Sequence, residues 1–349
     1  MIDILGTIGP SCKDKETLTE MFRAGMTGIR LNLSHTMLSD NEDVIDMVRQ
    51  AAEAVGVKPK ILVDLQGPEL RIGELEPKLN LNVGDEVTFV PVMGSFGNAD
   101  CNAGQEINRI PVDLRVIKCM ETGDEVLLDD GKISCLVTQK GEGQTVARVN
   151  RGGILSSRKS ILVKGRTIDM PTLTDADIIN IETAARLGIT GVMQPFVRNK
   201  KDLTTLRDKL NEAGGSQIEI YAKIENLPGV DMLDELIPEC DEIVIARGDL
   251  GNAVPLWELP ALQKHIAGKC RSKNRRFMVV TQMLASMEHS TVPTRAEVSD
   301  IYNAACDGAT SVMVTGETAI GDFPVDVIRF LSKTIYEYER TIEKNEIFL

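Results

Sequence analysis

Eight short apolar runs recur along the chain: ILGTIG, GIRLNLS, KILVDLQ, GVMQPFV, IEIYAKIEN, EIVIARGD, RFMVVTQM and SVMVTGE. Each has the length and the β-branched content of a strand, and most are followed by an amphipathic stretch with a helical period. The clearest of those stretches are KETLTEMFRAG, NEDVIDMVRQAAEAVG, DADIINIETAARLG, VDMLDELIPEC and AEVSDIYNAACDG. Several close on a glycine (Gly25, Gly56, Gly188, Gly308), the residue that ends a helix in the left-handed conformation. Eight such units in series predict an α/β chain folded as a (β/α)8 TIM barrel. An open doubly wound sheet is the alternative, but no GxGxxG follows the first strand.

The alternation breaks once. From Gly73 to Arg166 the chain reads LNVGDEVTFV, INRIPVD, GDEVLLDDGKISCLVTQ and GQTVARVN, β-like runs joined by GD and DG turns. This predicts a small all-β domain, residues 73–166, inserted after the third strand of a barrel formed by residues 1–72 and 167–349. Loops after barrel strands face the catalytic rim, so such an insertion could close over it as a lid.

The carboxyl ends of the strands carry polar residues throughout: Thr7, Asn32 with Ser34, Asp64 with Gln66, Gln194, Lys223 with Glu225, Asp249, Thr281 with Gln282, and Glu317. A barrel builds its active site at that rim. In IYAKIEN, strand alternation turns Lys223 and Glu225 to one face and Ala222 and Ile224 to the other. A structural ion pair accounts for two charges there as well as a bound ligand does. Glu225 and Asp249 end consecutive strands, and two carboxylates so placed suit a magnesium ion that keeps open water positions. ARGDLG, Ala246 to Gly251, reads as the opening turn of a helix whose free N–H groups would take a carboxylate or phosphate; a charged surface turn is the bland reading. Arg30 and Asn32 share a face of strand two, and Arg71 follows strand three, so guanidinium forks converge with the acidic pair and Lys223. Together these residues suit phosphoryl transfer, with cations around the moving phosphate and beside a developing enolate. No Ser-His-Asp or Cys-His arrangement appears, which argues against nucleophilic hydrolysis.

Composition narrows the class of partner. A formal net charge of −13 over 349 residues argues against nucleic acid or an anionic membrane surface as the main partner. The seven cysteines are scattered, without CxxC spacing, and fit reduced thiols. The start MIDILGTIGPS lacks the flank and apolar run of a signal peptide, and no stretch is long enough to span a membrane, so a cytoplasmic protein is expected.

TIGPS, GIRLNLSH, LVDLQGPELRIG, AKIEN, ARGDLG, TQMLASM, PTRAEVSD and GETAIGD resemble, in order, the signature segments of pyruvate kinase over nearly the whole chain. The resemblance implies a catalytic barrel with a β lid, and phosphoryl transfer from phosphoenolpyruvate to ADP. It implies that Lys223 stabilises the transferring phosphoryl group and the enolate, and that Arg30 contacts the phosphate. Glu225 and Asp249 would hold Mg2+ or Mn2+. The backbone of Ala246, Arg247, Gly248 and Asp249, with Thr281, would bind the substrate carboxylate, and Thr281 would help relay a proton. Asn32, Ser34, Asp64 and the Leu65 carbonyl would hold K+, while Arg71, His35 and Lys159 would face the nucleotide.

Several positions depart from the family pattern. Pro195 stands where a serine is usual, Ile320 where a lysine is usual, and Asn252-Ala253 where Val-Glu is usual. Leu65, Gln66 and Ile72 resemble members that work without K+, but those carry a lysine at the position of Glu69. The chain stops after the eighth barrel unit, at Leu349, where the family usually continues into a C-terminal domain bearing effector sites and a subunit interface. The expectation from these features is a homodimer through barrel faces, hyperbolic saturation and no sugar-phosphate activation. Two other activities are compatible with the same residues: a carbon–carbon lyase on a related barrel, and a non-catalytic phosphoenolpyruvate sensor.

Overall fold

Strand side chains alternate between faces, and in this chain that period divides an interior from a helix-covered exterior. The computed structural model describes residues 2–34, 36–68, 70–92, 108–166, 168 and 170–343. Eight parallel strands close into a barrel: β1 (Asp3–Thr7), β2 (Gly28–Asn32), β3 (Lys60–Asp64), β4 (Gly191–Gln194), β5 (Glu219–Ile224), β6 (Glu242–Ala246), β7 (Arg276–Val280) and β8 (Ser311–Met313). Neighbours in sequence are neighbours in space, and β8 pairs with β1 to complete the ring.

Leu5, Leu62, Met193, Tyr221, Val244, Ala246, Met278, Val280 and Met313 point inward and pack into a core of their own. Residues of opposite parity, among them Ile29, Ile61, Val192, Ile220, Ile243, Phe277 and Val312, pack outward on the helices. Those helices are α1 (Lys15–Arg23), α2 (Glu42–Glu53), α3 (Asp175–Arg186), α4 (Lys200–Glu212), α5 (Leu227–Asp231), α6 (Leu259–Ser272), α7 (Arg295–Cys306) and α8 (Pro324–Glu343). Their starts are written in the sequence. Asp14, Thr174, Asn199, Asn226 and Thr294 cap α1, α3, α4, α5 and α7, with full capping boxes at Thr174/Asp177 and Thr294/Glu297.

The stretch VDMLDELIPEC does not form one helix. Asn226 starts α5 early, with Pro228 in its first turn, and α5 ends at Asp231. A second short helix, Leu233–Leu236, runs into a 3-10 turn around Pro238, a residue without an N–H to continue an α-helical ladder.

The amino-terminal mouth of the barrel is closed by paired polar groups. Lys60 meets Asp3 at 2.6 Å, Arg276 meets Glu219 at 2.7 Å, and the Tyr221 hydroxyl donates to Glu219 at 2.9 Å. Ser311 and Thr310 hydroxyls donate to buried Glu242, whose carboxyl burial pushes above the usual range.

The chain divides into two compact units, residues 1–67 with 172–349, and residues 68–171. Among its described residues the second unit is built from strands apart from one short helix, Leu114–Cys119. Six strands pair in the order Ile161–Val163, Glu125–Leu128, Ile133–Lys140, Thr145–Arg151, Glu86–Pro91 and Arg109–Val112, and Leu79–Leu81 pairs with Gly153–Leu155. It buries its own core, including Val87, Phe89, Ile110, Val126, Cys135, Val149 and Ile161.

Candidate active site

At the carboxyl end of the barrel the inward register continues from apolar to charged. One step beyond Leu5, Leu62 and Tyr221 come Thr7, Asp64 and Lys223, and β2 contributes Arg30, which pairs in register with Thr7. A buried charge needs a partner, and these residues partner one another. Arg30 donates to Asp64 Oδ2 through Nε at 2.9 Å and through Nη2 at 2.6 Å, while Nη1 reaches Thr7 Oγ1 at 3.4 Å. Lys223 Nζ lies 3.2 Å from the same Asp64 oxygen and 2.8 Å from Glu225 Oε1. The second Glu225 oxygen accepts the Phe196 N–H at 2.8 Å.

The electrostatics follow from this packing. Asp64 is 2% exposed, so burial alone would raise its pKa, but Lys223 and Arg30 outweigh burial and hold its carboxyl below the usual range. Burial likewise opposes the charge on Lys223, yet Asp64 and Glu225 raise its pKa above that of an ordinary lysine. The ammonium is therefore fixed in the charged state. Asp64 Oδ1 is buried and has no hydrogen-bond partner among the described residues. Native structures seldom leave such an oxygen unpaired, and a cation would satisfy it.

β6 ends at Ala246 and passes directly into the short helix Arg247–Ala253, which contains Gly248 and Asp249. Thr281 follows β7 with φ +76° and Gln282 with φ +54°, the left-handed region that residues with side chains seldom adopt. A Cβ at Gly248 would lie 3.3 Å from Thr281 Cγ2 and 3.7 Å from Thr281 Oγ1, so Thr281 sits over the opening of that helix. The Arg247 side chain donates to the carbonyl of Thr281 and to Asp300 on α7. Asn32 is exposed, and its Oδ1 accepts from the Ser34 hydroxyl at 2.8 Å. Leu65 is buried, and its N–H donates to the Met193 carbonyl at 3.1 Å.

Arg71 and Lys159 belong to the second unit. There Arg71 donates to the Arg158 carbonyl at 2.8 Å, and Lys159 pairs with Asp129 at 2.9 Å. His35 lies outside the described residues, as does Glu69.

Some structural participants were not picked out from sequence. Phe196, at φ +54°, turns its N–H onto Glu225, and nothing in QPFVR announces a left-handed phenylalanine. Asp177 accepts from the N–H groups of Gln66 and Gly67 after β3 while capping α3. Its signal was the capping box TDAD, Thr174 to Asp177. Glu317, which the sequence did place among the polar strand ends, is buried and accepts from the N–H groups of Leu284 and Thr315, tying the loops after β7 and β8 together. No group of three or more His, Cys, Asp or Glu side chains that could hold a metal occurs among the described residues. Any divalent ion at Glu225 and Asp249 would complete its shell with substrate and water oxygens, as magnesium commonly does. Among the described residues no helix is long and apolar enough to cross a membrane.

The sequence model described as "Pyruvate kinase, barrel domain" matches residues 1–328. A pyruvate kinase of Aeropyrum pernix is 36% identical over 95% of this chain and 69% of its own length. The pyruvate kinase PKLR of Homo sapiens is 35% identical over 99% of this chain and 61% of its own, and that of Geobacillus stearothermophilus 34% identical over 99% and 58%. The chain thus spans roughly three-fifths to two-thirds of the length of these relatives. With its closed barrel and the match over nearly all of its residues, the chain belongs to the pyruvate kinase family.

Proposed function

We propose that this chain transfers the phosphoryl group of phosphoenolpyruvate to ADP, giving pyruvate and ATP. The observation that carries the reading is the convergence of Arg30, Asp64, Lys223 and Glu225 at the carboxyl mouth of the barrel. In the reaction the bond from phosphorus to the enolate oxygen breaks, and one to a terminal phosphate oxygen of ADP forms. The enolate carbon then takes up a proton.

Lys223 supplies a fixed positive charge beside the moving phosphoryl group and the enolate oxygen, where preorganised charge lowers the barrier most. Arg30 is anchored to Asp64 by two nitrogens, and its weakly held Nη1 is the arm that meets the phosphate. The N–H groups of Ala246 to Asp249 and the Thr281 hydroxyl hold the substrate carboxylate, and Thr281 helps deliver the proton. Glu225 and Asp249 are hard oxygen donors that fit Mg2+ or Mn2+, which when bound neutralises charge on the substrate oxygens. Asn32, Ser34, Asp64 and the Leu65 carbonyl form the site for K+, and the partnerless Asp64 Oδ1 supports that choice. Arg71, His35 and Lys159 serve the nucleotide, with residues 73–166 as the lid. A cytoplasmic homodimer formed through barrel faces belongs to the same reading. The test is ATP formation from phosphoenolpyruvate and ADP with magnesium and potassium, coupled to lactate dehydrogenase. Aldol cleavage of an oxo acid instead would point to the lyase, and tight substrate binding without turnover to a sensor.

A further inference from the structure

Arg247 opens the short helix after β6, and its guanidinium is held entirely by protein groups. Its side chain is 12% exposed. Nε donates to the Val280 carbonyl at 3.2 Å and Nη2 to the Thr281 carbonyl at 2.7 Å. Nη1 lies 2.9 and 2.7 Å from the two Asp300 oxygens and 3.4 Å from Gln263 Oε1, and Nη2 also lies 2.9 Å from Met283 Sδ. One planar group thus fastens the end of β7 to the start of the helix after β6 and to α7. Only a guanidinium has the donors for this, since lysine offers a single nitrogen.

The residues it fastens are the strained ones. Thr281 and Gln282 take positive φ in succession, without a glycine or asparagine between them. A β-branched residue holds that conformation only where its surroundings over-determine it. The two carbonyl contacts supply that constraint, and the turn they fix puts the Thr281 side chain over Gly248.

We propose that Arg247 and Asp300 are positioning residues that hold Thr281 in its left-handed turn, so that they govern the protonation step more than phosphoryl transfer. This rests on the proposed pyruvate kinase reaction and on Thr281 serving the enolate. The guanidinium, bound on every side by protein, contributes no arm to the phosphate.

The test compares wild type, Arg247→Lys, Asp300→Asn and Arg247→Lys with Gln282→Gly. Two rates are read on each: ATP formation, and exchange of the pyruvate methyl protons with deuterium in solvent, followed by NMR. Arg247→Lys should slow proton exchange by roughly ten-fold or more relative to ATP formation, because a small displacement of a proton-transfer group costs that much. Asp300→Asn should do the same to a lesser degree. Glycine at position 282 adopts the turn unaided, so it should restore part of the lost exchange. A general loss of stability would lower both rates together, without rescue by the glycine, and would overturn the proposal. Unaltered exchange in a folded Arg247→Lys protein would overturn it too. Wild type without ATP formation would instead sink the reaction on which the proposal rests.

Discussion

In this structure Lys223 competes for a carboxylate that the proposed reaction needs for metal. Its Nζ lies 2.8 Å from Glu225 Oε1, and the Phe196 N–H holds the other oxygen. A divalent ion approaching Glu225 must displace that ammonium contact and tolerate its charge nearby. A hydrogen bond between charged groups is worth about 1.5–3 kcal/mol net. Removing the lysine therefore tightens metal binding by about one to two decades, at 1.4 kcal/mol per decade. Lys223→Met should lower the Kd for Mn2+ about ten- to one hundred-fold, measured by calorimetry or by the spin-resonance signal of free Mn2+, without substrate. The same variant should form no ATP, since the charge acts on the transition state. A Kd equal to or weaker than wild type would refute the reasoning that Lys223 and the metal share Glu225.

Asp64→Asn leaves the buried Arg30 charge without its carboxylate and Lys223 with Glu225 alone, and should cost about 3–5 kcal/mol, a Tm drop of about 4–10 °C in thermal unfolding. Because the folded pKa of Asp64 is depressed, its contribution is present above the ordinary carboxylate value of about 3.9 and is lost as pH falls through the lower folded value. The variant's stability should then vary less with pH on the acid side, and an unchanged acid limb would count against the assigned charge. Turnover in tetramethylammonium buffer free of K+ and Na+ should fall roughly ten-fold or more, since Asp64 Oδ1 would stay unpaired near an anionic substrate; equal turnover would contradict this. Pro195→Ser with Ile320→Lys should raise ATP formation about ten-fold or more by restoring up to two donors and a cation near the rim. Ile320 is 63% exposed, so its replacement should not disturb the core, and an unchanged rate would show both departures to be silent.

How far the sequence revealed this site depends on which physical rule placed each residue. Strand alternation placed Lys223 and Glu225 on one face, and the same period put Arg30 and Asp64 inside the barrel. Alternation cannot say who pairs with whom, and the double grip of Arg30 and Lys223 on one Asp64 oxygen came only with the closed ring. Polar strand ends were a weaker guide than they looked. The opposite mouth carries Asp3, Lys60, Glu219, Glu242 and Arg276, which satisfy one another instead of leaving an oxygen bare. ARGDLG read correctly as a helix opening, but the direction of the Arg247 side chain depended on Asp300, 53 residues later. The turns at Phe196, Thr281 and Gln282 were illegible because none is a residue that favours positive φ; tertiary contacts impose them.

The central claim is that the Arg30–Asp64–Lys223–Glu225 cluster drives phosphoryl transfer from phosphoenolpyruvate to ADP. It is tested most directly by the coupled rate of ATP formation with magnesium and potassium, in purified wild type and Lys223→Met side by side. The expected result is saturable turnover in the wild type and none in the variant while its metal binding persists. Near wild-type turnover in Lys223→Met, or an inactive wild type that still binds phosphoenolpyruvate and Mn2+, would contradict it.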